Sequence, residues 1–451
     1  MHTPRPRLPV LAAAAALLAP LPAQDPAHLD RLIDAFLDRR CEAPPESTEQ
    51  LLAALREHGV TTAAELEVLL RAPRAEYPDA TPLLGKVTEH QVDCYHVDYS
   101  SRFRLFVPAD YRADRATPLV LVAHGGNSSM SPERAAQVSA MYLRLYAPAM
   151  AKGLGAIVVA PDTGRGWGHI GNSLALSTIS SVQRLLNVDP DRVYVTGQSM
   201  GGHMAFRAAL SIGDRFGAVS PQSGGYDFVQ KETIGNLDSV PGYVTWGKTE
   251  PYGIDKDSRT NAAWAEQHQL DWKFVEKPGG HEIYQDELPA VAQFFAAHPR
   301  DLYRPRVYLK QGGAMKFTDT WKIKGWPEHE VRHETRPLRW NLRHWVEVTP
   351  RPDHEGALSV MAKNLGDNHL DLVTDQVREL HVHLHPRLVD FTKPVKITVN
   401  GTTRFEGVVA PDLGLMLDLC REFDDRGRIS WARVRLEVPD DQPVPLPGED
   451  K

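Results

Sequence analysis

The sequence predicts an α/β fold built on a mostly parallel sheet, and three observations carry that reading. Continuous apolar runs at residues 118–123 and 156–160 suit strands buried on both faces. Helical stretches at residues 132–151 and 174–186 alternate with them, as right-handed crossovers require. Finally, Gly197-Gln198-Ser199-Met200-Gly201 stands between a β-branched run at residues 192–196 and a helix-like stretch at 203–210. That is the strand–turn–helix setting in which a G-x-S-x-G sequence raises a serine hydroxyl on a sharp turn at the top of a sheet. Its glycines serve where helix and strand nearly touch.

The remaining elements follow in order. Residues 1–23 read as an export signal: Arg5 and Arg7 give a positive start, residues 8–18 a short apolar core, and Leu21-Pro22-Ala23 a cleavage site. The core is too short to span a bilayer and no later segment is long and apolar enough, so no membrane span and a secreted or periplasmic location are expected. Removing the signal takes the formal charge from −7 to about −9.

Residues 24–78 form a helical segment without chemistry of its own. Leu29, Leu32, Ile33, Phe36 and Leu37 share one face, and Leu51, Leu52 and Leu55 share the next. Pro44-Pro45 separates the two, and Ser47-Thr48-Glu49-Gln50 suits a capped helix start. A linker that packs loosely is the other reading.

Residues 79–302 make up the α/β domain, with a half-exposed strand at 102–107, later strands at 216–220, 242–246 and 272–276, and a last helix at 286–297. From 303 to 438 helical periodicity gives way to short strands at 307–309, 345–348, 358–360, 380–384, 395–399 and 434–438, with a short helix at 411–423. Asn400-Gly401 between two strand-like halves is a type I′ hairpin signal. A β-sandwich-like C-terminal domain is expected. Residues 439–451 are proline-rich and acidic, which predicts a disordered tail.

With 51 basic against 58 acidic residues there is no basic excess, and nothing points to nucleic acid. Cys41, Cys94 and Cys420 are too few and too scattered for a disulfide framework or a metal motif.

A serine hydroxyl attacks well only when a histidine takes its proton, and that histidine needs a carboxylate to fix its tautomer. In the order Ser…Asp/Glu…His both partners follow the serine on loops after later strands. His281 meets this requirement, after the strand at 272–276 and the loop Lys277-Pro278-Gly279-Gly280. Glu250 is the first carboxylate after the strand at 242–246, and Asp255 and Asp257 are close enough to compete with it. Two backbone N–H groups must face the developing oxyanion. Met200 is one expected donor, and the turn at Gly125 and Gly126 supplies the other. His124 precedes this turn and suits organising the loop better than acting as a base.

These residues together resemble the α/β-hydrolase superfamily, most closely secreted esterases of the polyhydroxybutyrate-depolymerase and feruloyl or acetyl-xylan esterase type. They also resemble the catalytic domain of prolyl oligopeptidase-like hydrolases. The resemblance covers about half the chain and rests on residues 118–127, the run 189–202 around Ser199, and His281. It implies that Ser199 is acylated through His281, with Met200 and the Gly125-Gly126 turn binding the oxyanion. Glu250 departs from the more usual aspartate. An exported hydrolase of small-molecule or polymer-derived carboxylic esters, needing no cofactor or metal, is the leading expectation. Peptide cleavage by the same residues and a non-catalytic binding protein on this fold are the alternatives.

Other features admit blander readings. His381, His383 and His385 alternate on one strand, yet three adjacent imidazoles seldom converge on a metal. Trp321, Trp326, Trp340 and Trp345 suit a sugar-stacking surface or a sandwich core, and carbohydrate contact by the C-terminal domain stays open. Trp167 lies on a loop able to line the substrate pocket or simply to pack.

Overall fold

The computed structural model describes residues 26–38, 46–94, 99–164, 166–168, 170–225, 231–311, 320–322, 330–332, 341–350 and 356–439. The expected export signal, nearly all of the C-terminal tail, Cys41, Trp326, Trp340 and the side chain of Trp321 lie outside them.

Three helices come first: α1 (Pro26–Leu37), α2 (Thr48–Glu57) and α3 (Ala63–Arg71). Ser47 and Thr62 close capping boxes at the starts of α2 and α3, each exchanging hydrogen bonds with the glutamine or glutamate three residues on.

The central domain then runs β1 (Val87–Asp93), β2 (Ser100–Phe106), β3 (Thr117–Ala123), α4 (Pro132–Leu154), β4 (Ile157–Pro161), α5 (Gly171–Leu185), β5 (Val188–Gln198) and α6 (Met200–Ile212). It continues through β6 (Ala218–Gln222), β7 (Gly242–Gly247), α7 (Ile254–Gln267), β8 (Trp272–Lys277) and α8 (Leu288–Ala297). The eight strands form one sheet in the order β1-β2-β4-β3-β5-β6-β7-β8. Strands β3 to β8 are parallel, while β1 and β2 run antiparallel at one edge. All seven residues of β3 are buried, because helices cover both faces. Leu119, Leu121, Val159 and Val195 pack against Leu174, Ile179, Met204 and Phe206 of α5 and α6 on one face. On the other, Val120, Val122 and Val158 meet Tyr142, Tyr146 and Met150 of α4 and Phe295 of α8. At about 1.5–3 kcal/mol for each fully buried large apolar side chain, these two layers are the main source of rigidity beneath the site.

Two elements of this domain had no counterpart in the sequence reading. β1 is a half-exposed edge strand whose polar side chains leave little apolar alternation. α7 is strongly polar, and it takes up the stretch in which Asp255 and Asp257 looked like loop residues.

Beyond residue 305 come β9 (Arg306–Gln311), β10 (Thr320–Lys322), β11 (Glu330–Arg332), β12 (Leu342–Arg343), β13 (Val346–Val348), β14 (Leu358–Gly366), β15 (His369–Asp375), β16 (Glu379–Leu384), β17 (Val395–Val399), β18 (Thr402–Gly407), α9 (Leu413–Phe423) and β19 (Ala432–Glu437). Sheets ordered β12-β13-β16-β19 and β18-β17-β15-β14-β9 share one apolar core that includes Val346, Val360, Leu372, Leu380, Ile397 and Val434. Asn400 and Gly401 both take positive φ, 50° and 76°, as the type I′ turn between β17 and β18 demands. β15, absent from the sequence reading, alternates cleanly between half-buried and buried positions, so its signal was there to be read.

Helix α9 does not join that core. It packs on α1–α3, with Met416, Leu417 and Cys420 against Ile33, Phe36, Leu51, Leu55, Leu66 and Leu70. The two ends of the described chain therefore share one small helical core.

Where the C-terminal part meets the central sheet, the contacts are ionic and buried. Asp214 accepts hydrogen bonds from Arg428 Nη2 at 2.7 Å and from the His344 N–H at 2.9 Å. Asp425 takes Arg300 at 2.6 and 3.0 Å and also pairs with Arg215. Arg300 reaches on to Asp191, which Arg71 of α3 contacts at 3.0 Å. Burial opposes ionisation of both Asp214 and Asp425, but the surrounding arginines outweigh it and hold both carboxyls well below their usual range.

Candidate active site

Strand β5 delivers the chain to Ser199, and α6 begins at the next residue. Ser199 itself sits at φ 59°, ψ −121°, a conformation that non-glycine residues rarely adopt. The surroundings leave it no alternative. A Cβ on Gly197 or Gly201 would run into the Ala123 carbonyl, and one on Gly202 into the Gln222 carbonyl. The Ser199 N–H donates to Gln222 O at 3.0 Å, which pins the turn to β6. Strain of about 1–3 kcal/mol at one residue persists only because its neighbours over-determine it.

Two tyrosines one helical turn apart on α4 brace the turn from below. Tyr142 Oη donates to Gln198 Oε1 at 2.6 Å, and Tyr146 Oη donates to Gln222 Oε1 at 2.9 Å. Burial raises both phenols, Tyr142 to about 12, so they stay neutral donors. No catalytic motif in the sequence marks these two residues. Their i,i+4 spacing on a helix following β3 was the available signal.

His281 lies on the loop after β8 and Glu250 on the loop after β7. His281 Nε2 is 2.8 Å from Ser199 Oγ, and His281 Nδ1 is 2.6 Å from Glu250 Oε2. The second Glu250 oxygen accepts the Gly247 N–H at 3.0 Å, so both carboxylate oxygens are held. The Glu250 side chain is fully buried, while that of His281 is 28% exposed. The acid is therefore shielded and the imidazole faces incoming molecules. The two loops are tied together by Lys248 N–H to Lys277 O at 2.8 Å and Thr249 N–H to Gly279 O at 3.2 Å. A Cβ on Gly247 would meet the Gly280 carbonyl, so only glycine permits this approach. Asp255, the competing carboxylate, is on α7 and pairs with Arg259 at 2.8 Å instead.

The expected oxyanion donors occupy different settings. Met200 is the first residue of α6, so its N–H has no acceptor within the helix. Gly126 is exposed with φ 125°, whereas Gly125 is buried with its backbone N–H facing the Tyr142 hydroxyl. His124 is fully buried. Its Nδ1–H donates to Gly125 O at 2.8 Å and its Nε2 accepts the Thr163 N–H at 3.1 Å. Burial pushes its pKa down, and with both nitrogens occupied it organises the loop.

Trp167 is enclosed rather than open to a ligand. It is 2% exposed and donates its indole N–H to His124 O at 2.8 Å, which makes it packing beneath the Gly125–Gly126 turn. Trp345 is likewise buried, donating to Arg304 O at 2.9 Å, so it offers no face for a sugar. His383 Nε2 meets Glu347 and His385 Nε2 meets Glu67, each at 3.0 Å, which commits these two imidazoles to separate carboxylates.

A family model described as a putative esterase matches residues 174–286, the stretch that holds Ser199, Glu250 and His281. The central domain is a mixed α/β domain on one large sheet, similar over that stretch to the putative-esterase family. Among solved structures similar to it is a thermostable esterase, 20% identical, with a TM-score of 0.39, covering 48% of this chain and 63% of that one. A fluorophosphonate-binding serine hydrolase of Staphylococcus aureus matches at 14% identity and TM-score 0.39, over 47% of this chain and 98% of its own. Dipeptidyl peptidase 4 of Porphyromonas gingivalis matches at 15% and 0.38, over 48% and 36%. No curated protein matches the sequence. Among the described residues no helix is long and apolar enough to cross a membrane.

Proposed function

We propose that this protein is an exported serine hydrolase that cleaves carboxylic esters through an acyl-enzyme. The observation that carries the reading is the unbroken hydrogen-bond relay from Ser199 Oγ through His281 to the buried Glu250 carboxylate, at 2.8 and 2.6 Å. His281 takes the Ser199 proton as Oγ attacks the ester carbonyl, and Glu250 stabilises the imidazolium that forms. The N–H groups of Met200 and Gly126 receive the negative charge on the carbonyl oxygen. Collapse breaks the C–O bond, and His281 hands its proton to the departing alcohol. Water, deprotonated by His281, then attacks the acyl carbon and releases the acid and Ser199. The esterase family match over residues 174–286 favours an ester over an amide. The N-terminal sequence pattern supports export.

An alkyl fluorophosphonate is expected to label the folded protein at Ser199, and Ser199→Ala is expected to abolish labelling and to lower ester turnover by up to about a million-fold. Labelling that survives Ser199→Ala overturns the assignment. Faster cleavage of a peptide nitroanilide than of a short nitrophenyl ester moves the reading to a peptidase.

A further inference from the structure

Resting on the ester reading, we infer that Arg207 is a positioning residue for the oxyanion site. It clamps the loop between β4 and α5, and that loop sets the spacing between the N–H groups of Met200 and Gly126. The two donors stand on different elements, Met200 at the start of α6 and Gly126 on the turn after β3. One oxygen collects both hydrogen bonds only when their separation is fixed in advance, since a displacement of about 1 Å costs rate steeply. Strand pairing holds Ala123 against Gly197. Gly126 lies beyond that pairing, exposed and at φ 125°, so its place depends on what backs the turn.

The loop after β4 is that backing. Gly166, at φ 78°, is wedged between the two elements: a Cβ there would lie 3.2 Å from Ser128 Cβ and 3.5 Å from Met200 Sδ. A Cβ on Gly164 would run into the Met130 carbonyl, and the Met130 sulfur in turn closes on Gly126. On the β3 side the loop is fastened by His124, whose Nε2 accepts the Thr163 N–H at 3.1 Å. The His124 carbonyl accepts the Trp167 indole N–H at 2.8 Å. Thr163 Oγ1 donates to Gly166 O at 3.2 Å, which ties the loop to itself.

On the α6 side the fastening is Arg207. Its Nη1 donates to Trp167 O at 2.6 Å and to Gly168 O at 3.2 Å. It makes no ion pair among the described residues. Burial pulls its pKa down to about 10, with no carboxylate beside it to raise the value again. Hydrogen bonds from a charged donor are roughly twice as strong as neutral ones, so this contact is a firm attachment of the loop to the helix. Arg207 stands two turns beyond Met200, about 10 Å along the axis of the same helix. The clamp therefore refers Met200 and Gly126 to one rigid frame while standing clear of the His281–Glu250 pair.

The test uses a short 4-nitrophenyl ester and an alkyl trifluoromethyl ketone, on the full chain and on Arg207→Met and Arg207→Lys. With the ketone, Ser199 Oγ adds to the carbonyl carbon, its proton passes to His281, and the carbonyl oxygen becomes the oxyanion. Arg207→Met is expected to lower kcat about tenfold to a hundredfold with KM within about twofold. The ketone is expected to bind more weakly by a similar factor, which a merely smaller folded fraction would not produce. Arg207→Lys keeps a charged donor for one carbonyl, and about a threefold loss in both readouts is expected. The pH midpoint of kcat/KM is expected to stay unchanged in both variants. If Arg207→Met does not fold, Arg207→Lys decides by whether kcat and ketone affinity fall together. A kcat loss with ketone affinity unchanged, a moved pH midpoint, or no loss in either variant overturns the clamp and leaves the ester reading intact. No ester hydrolysis by the unmodified protein, together with no fluorophosphonate labelling of Ser199, overturns both.

Discussion

Around Ser199 the chain is held by neutral contacts: glycines against carbonyls, and two tyrosine hydroxyls on two glutamine side chains. At the junction with the C-terminal part it is held by charge, with Asp214 and Asp425 enclosed among Arg428, Arg343, Arg300 and Arg215. The difference follows from what each region must do. On the proposed function, Ser199 needs a rigid turn with N–H groups aimed outward, and the one carboxylate near it, Glu250, reaches it only through His281. A junction between two folded parts needs alignment more than a yielding surface. Buried ion pairs are costly to break, because removing either partner strands the other charge in a low-dielectric setting.

Three losses, in descending size, and one control substitution test this contrast. Glu250→Ala is expected to lower ester turnover about ten-thousand-fold with little change in thermal stability, while Asp255→Ala stays within about twofold. A severe loss for Asp255→Ala with a mild one for Glu250→Ala would reassign the acid. At the junction, Asp425→Ala is expected to cost about 3–5 kcal/mol in denaturant unfolding, since it leaves Arg300 and Arg215 buried without their shared carboxylate. If the folded variant keeps its unfolding midpoint, the junction is not held by charge.

The smallest effect concerns Glu67, which receives His385, Trp431 and Arg71. Burial opposes its ionisation, yet those three partners prevail and bring its pKa down to about 2. A depressed carboxyl contributes stability above its ordinary value near 4.5, and that contribution is lost as the pH falls toward 2. Glu67→Gln is therefore expected to cost about 1–2 kcal/mol at neutral pH. The gap should narrow in unfolding curves taken between pH 4.5 and pH 2. A gap that stays constant across that window would refute the assignment.

Local pattern carried much of this molecule. The runs at β3 and β4 are apolar at almost every position because helices cover both faces, and that signature needs no partner to be read. The G-x-S-x-G turn is equally local, since each glycine answers to a neighbour a few residues or one strand away. Asn400-Gly401 marked its hairpin for the same reason. The sequence also named Ser199, His281 and Glu250, the three side chains that the structure brings within hydrogen-bonding distance. Edge strand β1 and helix α7 escaped because their polar, half-exposed residues blur any apolar period.

Long-range pairing was another matter. Arg300 with Asp425, Arg428 with Asp214 and Glu67 with His385 join residues more than a hundred positions apart. Trp167 could be read as pocket or packing until its indole was seen buried on His124. By itself the sequence determined the sheet, the sharp turn at Ser199 and the chain order of Ser199, Glu250 and His281, because steric and hydrophobic periodicities act over a few residues. Only the tertiary structure decided which charges pair and which aromatic rings face water. Those depend on surfaces that do not exist until the chain has closed on itself.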